Sequence, residues 1–454
     1  MHNLAAVILA AGQGTRMRSD HPKVLHEVLG RPMVLWSLDA ARGAGAERIV
    51  LVIGVGADQV RDVVGDVAWY ALQEEQLGTG HATLQARDLV QGKSRAVLVL
   101  YADMPTLRPE TLQALVDVQR SSDAAVAMLT VHSEDSMGFG RIVRDEAGEP
   151  RAIVEEAVAS PEVLALTELN CGIYCFDAAF LWEYLPKVEI TQPKGEYYLT
   201  DMVELAVEAG RRVVAHTIDD VSEVQGINTR AHLARAAGIL RGRVNERLMS
   251  QGVTLVDPAT VYAEPTVLVG RDTVIHPNTH LQGQTVIGEG CEIGPNTLVR
   301  DSSIGDNCRV FASVVEKARM ERGSEIGPFG HLRKGAHLDE GVHMGNFGEV
   351  KNAHLGKGTK MGHFSYVGDA EVGPEANIGA GTVTCNYDGS RKHRTVIGEG
   401  AFIGSGTMLV APVSIGRNAR TGAGSVVTRD VPNGTLAYGV PARPRRELEG
   451  KDDV

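Results

Sequence analysis

Chemistry concentrates first where the apolar run Ala5-Ala6-Val7-Ile8 gives way to Leu9-Ala10-Ala11-Gly12-Gln13-Gly14-Thr15-Arg16-Met17, with Pro22-Lys23 close behind. Gly12 and Gly14 lack Cβ atoms, so backbone N–H groups there approach a phosphate closely. Arg16 and Lys23 bring positive charge to the same place. A buried strand entering such a loop is a phosphate-binding design; a strand-to-helix connection with incidental charge is the plainer alternative. The spacing is not that of a P-loop, which puts four residues between its glycines and Lys-Ser/Thr after the second. Nor is it a dinucleotide fingerprint, whose third glycine would stand at Met17.

Further along, Gln73-Glu74-Glu75-Gln76-Leu77-Gly78-Thr79-Gly80-His81 leads into a helix. Gly78 and Thr79 offer N–H and hydroxyl groups at its start, and the amides of Gln73 and Gln76 suit a base edge. An ordinary polar turn with a helix cap would read the same way. The strand at 96–100 ends in Tyr101-Ala102-Asp103-Met104-Pro105. A carboxylate on the carboxyl edge of a central strand is placed to ligate Mg²⁺, unless Asp103 only shapes its turn.

The elements that must position these residues fall into three regions. Up to residue 227, strand-like runs (7–9, 49–53, 96–100, 124–129, 172–176) alternate with amphipathic helical stretches (33–42, 79–89, 109–119). That alternation predicts an α/β domain, doubly wound and Rossmann-like, with a largely parallel sheet whose ligands sit at the carboxyl ends of the strands. Residues 228–250 form one polar linker helix, which Asn228 is able to cap. Residues 251–454 form the third region, a repeat domain with a C-terminal tail, and from about 253 to 437 the period changes to six. Val269, Ile275, Leu281, Ile287, Ile293 and Val299 begin the series, and Ile326, Leu332, Leu338, Met344 and Val350 resume it. It continues, with five-residue steps, through Leu355, Met361, Val367, Val372 and Ile378, then Ile397, Ile403, Leu409, Ile415, Thr421 and Val427. One aliphatic position in six resembles the hexapeptide repeat of left-handed parallel β-helices, triangular coils of about eighteen residues with that position turned inward.

The register aligns side chains. Arg333 and Lys351 each follow an inward residue and stack one coil apart, roughly 5 Å. Two cations so placed call for an anion, a phosphate above all, or else mark a solvated basic face. His363 lies two positions after inward Met361 and points outward; Ala380, Ser405 and Ala423 share that offset in later coils. Residues 384–394, including Asn386, Tyr387 and the basic Arg391-Lys392-His393-Arg394, break the period as an excursion able to close over a ligand.

The chain has 454 residues, 52 glycines but only eight phenylalanines, and a net charge of −12. Two domains, one turn-rich, follow from that length and composition. The acidic balance disfavours nucleic acid and anionic membranes as partners. Five scattered cysteines lack metal-ligand spacing and imply reduced thiols. There is neither a signal-peptide pattern nor an apolar run of spanning length, so the expectation is a soluble cytoplasmic protein with no membrane insertion.

The glycine loop with Pro22-Lys23 resembles the nucleoside-triphosphate loop of sugar-phosphate nucleotidyltransferases. Gly-Phe-Gly-Arg-Ile (138–142), Ile-Val-Glu (153–155), Leu-Asn-Cys-Gly-Ile (169–173), Gly-Glu-Tyr-Tyr-Leu-Thr-Asp (195–201) and Gly-Ile-Asn (226–228) then follow in order. So do Gly-His-Phe-Ser-Tyr-Val-Gly-Asp (362–369), Asn-Ile-Gly-Ala (377–380) and Cys-Asn-Tyr-Asp-Gly (385–389). Together they resemble the family of bifunctional N-acetylglucosamine-1-phosphate uridyltransferases/glucosamine-1-phosphate acetyltransferases, over both domains.

The resemblance implies a homotrimer that takes glucosamine 1-phosphate, acetyl-CoA, N-acetylglucosamine 1-phosphate and UTP, with Mg²⁺ as cofactor, and makes UDP-N-acetylglucosamine for cell-wall synthesis. It implies that Leu9, Ala10, Ala11, Gly12, Gly14, Arg16 and Lys23 hold the nucleotide. Gln73, Gly78, Thr79, Tyr101 and Ala102 would complete that pocket, and Gly140, Glu155 and Asn170 would hold the acetylated sugar. Asp103 and Asn228 would ligate the metal. His363 would be the base that takes a proton from the glucosamine amine, a role imidazole suits because it titrates near neutrality. Arg333 and Lys351 would hold the sugar phosphate, Tyr366, Asn377, Asn386 and Tyr387 the sugar, and Ala380, Ser405 and Ala423 the acetyl-CoA path. Near Val440 some members carry a basic residue for coenzyme A. Here one of Arg443, Arg445 and Arg446 takes that contact over, or the tail is disordered. A single-activity nucleotidyltransferase with the prism as a trimerisation stem is the rival reading, and a non-enzymatic scaffold a third.

Overall fold

The computed structural model describes residues 2–191 and 195–447, in two compact units, Met1–Leu240 and Arg241–Val454. Among the described residues no helix is long and apolar enough to cross a membrane.

The first unit is built on one mixed sheet. Its strands are β1 (His2–Leu9), β2 (Arg48–Ile53), β3 (Trp69–Leu72), β4 (Ser94–Tyr101), β5 (Val126–His132), β6 (Arg141–Arg144), β7 (Pro150–Val154), β8 (Glu168–Asp177) and β9 (Val213–Ile218). They lie in the order β9-β5-β8-β4-β1-β2-β3, with the β6–β7 hairpin joined to β8. Alternate residues of single strands enter opposite cores. Leu4, Ile8, Leu51 and Leu98 pack on one side, while Ala5, Val7, Val50 and Val97 pack on the other. Strands covered on both faces read as unbroken apolar runs, which is why these segments stand out in the sequence. β8 departs from the parallel pattern, running antiparallel to both β4 and β5, with a register shift between Asn170 and Tyr174.

Register levels the working edge. Leu9 pairs with both Val52 and Tyr101. The loop after β1, Gln73 just past β3 and Asp103 just past β4 therefore emerge at one height. Ala102 N–H donates to Leu9 O at 3.0 Å and Gln73 N–H to Ile53 O at 2.8 Å, extending the ladder to the site.

The helix Arg230–Ser250 crosses the division between the units. In its first half Ala236 and Leu240 join Met17, Met33 and Ile227 in a small core. In its second half buried Asn245 donates to Pro258 O and Val261 O, at 2.8 and 3.1 Å.

The second unit is a three-faced prism of stacked parallel strands that visits sheets of 12, 10 and 9 strands in turn. Every inward position named from the sequence is buried, Val269 being the most exposed at 9%. The break in the series between Val299 and Ile326 is filled by Ile304, Val310, Val315 and Met320, which pair coil to coil like the rest. Shortened steps had masked their period. Residues 435–447 add a hairpin of Thr435–Gly439 with Ala442–Glu447.

Candidate active sites

Three side chains from distant segments converge on one point in the first unit. Lys23 Nζ donates to Asp103 Oδ2 at 2.5 Å and to Asn228 Oδ1 at 2.7 Å. Asp103 O accepts from Ile227 N–H at 2.9 Å, which brings the 226–228 segment to the strand end. Asn228 is not the helix cap its position allows. Thr229 Oγ1 accepts from His232 N–H instead, which frees the Asn228 carbonyl to face Lys23.

Gly14 makes room for this lysine. It sits at φ 64°, and a Cβ there would lie 2.5 Å from Lys23 Cβ. Gly12, by contrast, faces open space.

The convergence point joins two cavities, of 270 and 260 Å³, that share Thr79, Tyr101 and Asp103. The first is walled by Leu9, Ala10, Ala11, Gly12, Lys23, Gln73 and Gly78, all read from the sequence, together with Gln76. The second is walled by Gly140, Glu155, Asn170 and Asn228. Three expected residues line neither: exposed Arg16, Gly14 behind Lys23, and Ala102, whose side chain is buried in the core.

The walls are locally fixed. Gln73, nearly buried, donates through Nε2 to Gly78 O at 3.2 Å and lies 3.1 Å from His81 Nδ1. Thr79 Oγ1 accepts from Leu199 N–H at 3.0 Å. Gly78 adopts φ 101°, and a Cβ there would strike the Tyr197 backbone at 2.6 Å. In the second cavity the Asn170 amide and the buried Tyr174 hydroxyl exchange hydrogen bonds at 2.7 and 3.0 Å. Gly172 N–H holds Asn170 Oδ1 at 3.1 Å. Gly172 also leaves space for the Tyr101 ring, 2.6 Å from where its Cβ would be. Burial, and next to it the Asp103 carboxylate, pushes the Tyr101 hydroxyl far above its ordinary range, so it is a neutral donor at the junction. Tyr198 and Thr200, part of the 195–201 motif but given no role from the sequence, also line this cavity. Burial, then Glu196, pushes the Tyr198 hydroxyl up to about 12.

Two oxygen donors sharing one cation are a hard-ligand set that suits Mg²⁺. Lys23 Nζ shows where a cation is stabilised between Asp103 and Asn228, so these residues fit the metal.

In the prism, Leu332 pairs with Val350, which brings Arg333 and Lys351 into adjacent rungs. Arg333 donates to Glu349 Oε1 at 2.7 Å. Arg333 first, and Lys392 of the excursion second, hold the Lys351 ammonium below the usual lysine range. Three cations thus face one spot. Beside them Asn386 Nδ2 donates to Asp369 Oδ2 at 2.5 Å and reaches Tyr366 Oη at 3.5 Å. Tyr387 is exposed and donates to Gly389 O at 2.6 Å. Asp388 knits the excursion by accepting from Arg391 N–H, His393 Nε2 and Ser390 N–H, at 2.6, 2.7 and 2.7 Å. These bonds, that from Arg391 foremost, hold its carboxyl below the carboxylate range.

His363 is exposed at the preceding corner of the prism, where Gly381 N–H binds Phe364 O. The same corner continues upward as Gly406 N–H on Ala380 O and Gly424 N–H on Ser405 O, so Ala380, Ser405 and Ala423 form one column. Asn377 pairs with Lys360 and Phe402 on the face leading into it. Within one chain no hydrogen bond or ion pair among the described residues joins His363 to the Arg333–Lys351 cluster. In the tail, Val440 is 73% exposed and the Arg445 guanidinium lies 5.1 Å over the Tyr438 ring. Arg443 is exposed, and the Arg446 side chain lies outside the described residues.

Residues 6–173 match the model of the MobA-like NTP transferase domain, and 266–301 and 394–429 that of the bacterial transferase hexapeptide (six repeats). The Bifunctional protein GlmU of Heliobacterium modesticaldum is 49% identical over 437 residues, 96% of this chain and 95% of that one. Its namesake from Pelobacter propionicus is 48% identical over 98% of both chains. The chain belongs to the GlmU family. As in other GlmU proteins, a nucleotidyltransferase unit and a hexapeptide unit make it a bifunctional uridyltransferase and acetyltransferase producing UDP-N-acetylglucosamine, with UTP and acetyl-CoA as substrates and Mg²⁺ as cofactor.

Proposed function

We propose that the two chemistries divide between the sites described above. Uridylyl transfer takes place where the two cavities meet at Asp103, and acetyl transfer on the prism. The observation that carries this is the convergence of Lys23, Asp103 and Asn228 at the junction of two adjoining cavities.

Leu9, Gly12, Gln73, Gly78 and Thr79 hold the uridine nucleotide, and Gly140, Glu155 and Asn170 the acetylated sugar. The sugar phosphate oxygen is ionised at neutral pH and attacks the α-phosphorus of UTP in line, the α–β bond breaks and pyrophosphate leaves, so no general base is required. Lys23 and Arg16 offset the charge that builds on the phosphates. Asp103 and Asn228 would hold Mg²⁺, which would supply further neutralisation there. On the prism, Arg333, Lys351 and Lys392 take the phosphate of glucosamine 1-phosphate. Tyr366, Asn377, Asn386 and Tyr387 orient the sugar, and His363 accepts a proton from its amine as the nitrogen attacks the thioester, whose C–S bond breaks to release coenzyme A as the thiol. Ala380, Ser405 and Ala423 leave a small-residue path for acetyl-CoA. Because His363 and the cationic cluster lie at successive corners, the site is completed by a homotrimer in the cytoplasm. Functional boundaries fall at 1–227, a linker helix at 228–250, and 251–454.

The test is a reaction with glucosamine 1-phosphate, acetyl-CoA, UTP and Mg²⁺ in which one component at a time is withheld. Thiol release without UTP, and pyrophosphate release only after acetylation, are the expected results. Pyrophosphate from another sugar phosphate, with no thiol ever released, would overturn the assignment.

A further inference from the structure

On the face of the prism that follows the Arg333–Lys351 rungs, two histidines and an aspartate point outward at one place, and His354 lines a cavity with Asp369, Lys392 and Arg394. His337 and Asp339 flank inward Leu338, and His354 occupies the rung above His337. Asp339 Oδ1 lies 3.6 Å from His337 Nε2, and Asp339 Oδ2 lies 3.0 Å from His354 Nε2. The ligand atoms of all three residues fall within 4.8 Å of one another. A tetrahedral zinc site places its ligand atoms about 3.3 Å apart, given bonds of about 2.0–2.1 Å. The two measured separations bracket that value.

Two further features point to a cation. His354 Nδ1 faces Glu371 Oε1 at 2.6 Å, and Glu371 is itself held by Arg394 at 2.5 Å. A carboxylate on Nδ1 fixes the tautomer and turns the Nε2 lone pair toward a metal, the outer-shell arrangement of many zinc histidines. That Nε2 is shielded from solvent, with the Asp339 carboxylate as its close neighbour. Glu321 Oε1, 3.1 Å from His337 Nε2, brings a second carboxylate to the rim.

We propose that His337, Asp339 and His354 bind a divalent transition cation of the zinc type, independently of either transferase reaction. Two imidazoles with carboxylates select such ions over Mg²⁺. The ion would tie two successive coils together.

The experiment is dialysis of the full chain against Zn²⁺ with excess Mg²⁺ present, followed by elemental analysis and by the visible absorption of Co²⁺ in its place. About one ion per native chain is expected. His337→Gln/His354→Gln should lose it, Asp339→Asn should weaken it at least tenfold, and both transferase rates should stay unchanged. Zinc should raise the unfolding temperature of the native chain and leave that of the double variant where it was. Absence of zinc from the native chain, or its retention by the double variant, overturns the proposal. Asp339→Asn, nearly isosteric, keeps the test decisive should the double variant fail to fold.

Discussion

Lys23 shows how much one side chain's surroundings say that its type does not. A lysine after a glycine loop reads as a phosphate ligand from sequence, yet its partners, 80 and 205 residues away, could not be read. Asn228 was open for the same reason: a helix cap and a metal ligand ask for the same residue type, and here Thr229 takes the cap while the Asn228 amide oxygen faces Lys23. Lys23→Ala should lower kcat/KM of uridylyl transfer by on the order of 10²-fold, about 2.7 kcal/mol, as loss of one preorganised charge contact does. Acetyl transfer, measured on the same sample by thiol release, should not change; a parallel fall in both would mean a folding defect. Gly14→Ala should reproduce the loss, since its Cβ displaces the lysine stem. Lys351 gives a pH prediction. Its ammonium is the form lost as pH rises, and Arg333 and Lys392 lower its pKa, so the charge disappears below the ordinary lysine range. KM for glucosamine 1-phosphate should therefore rise on that alkaline limb, and Lys392→Ala should move the limb to higher pH. The substrate amine titrates alike with both proteins, so an unmoved limb would refute the coupling.

Elements were legible where one physical rule repeats. In the prism every coil must present an aliphatic residue to a dry interior, so burial matched the six-residue series position by position. Where steps shortened to five, around Ile304, Val315 and Met320, the same rule held but its period blurred. In the α/β unit the doubly covered strands were visible as apolar runs, whereas the antiparallel insertion of β8 was not. Direction depends on pairing with residues 48 and 77 positions away, as in Cys175 with Ala127 and Leu98. Tyr198 and Thr200 reach the second cavity through the same kind of long-range placement, and no local period marks them. The prism rule carries a stability prediction. Leu332 is fully buried directly before Arg333, and Leu332→Ala should cost about 2–5 kcal/mol, depending on how far the coil collapses. Calorimetry should show the prism transition moving down, with acetyl transfer inactivated at a lower temperature than uridylyl transfer. Equal heat sensitivity of the two activities would mean that the units do not unfold separately.

At the scale of the whole molecule, the residues assigned to each chemistry lie within one unit: Lys23, Asp103 and Asn228 before Leu240, His363 and the cation cluster after Arg241. Each half-reaction should therefore survive inactivation of the other. Asp103→Asn should abolish pyrophosphate release while thiol release continues. His363→Ala should do the reverse when N-acetylglucosamine 1-phosphate is supplied. The acetylated sugar phosphate leaves one site as a stable, soluble product and is the other site's substrate. Mixing the two variants in equal amounts should then restore synthesis from glucosamine 1-phosphate, after a lag while the intermediate accumulates to the KM of the uridylyl site. The lag should shorten in proportion as total protein rises. A mixture that releases thiol and accumulates the intermediate, yet never forms the nucleotide sugar, would mean that Asp103 and His363 depend on each other across the division between the units. That outcome would defeat the assignment of one chemistry to each.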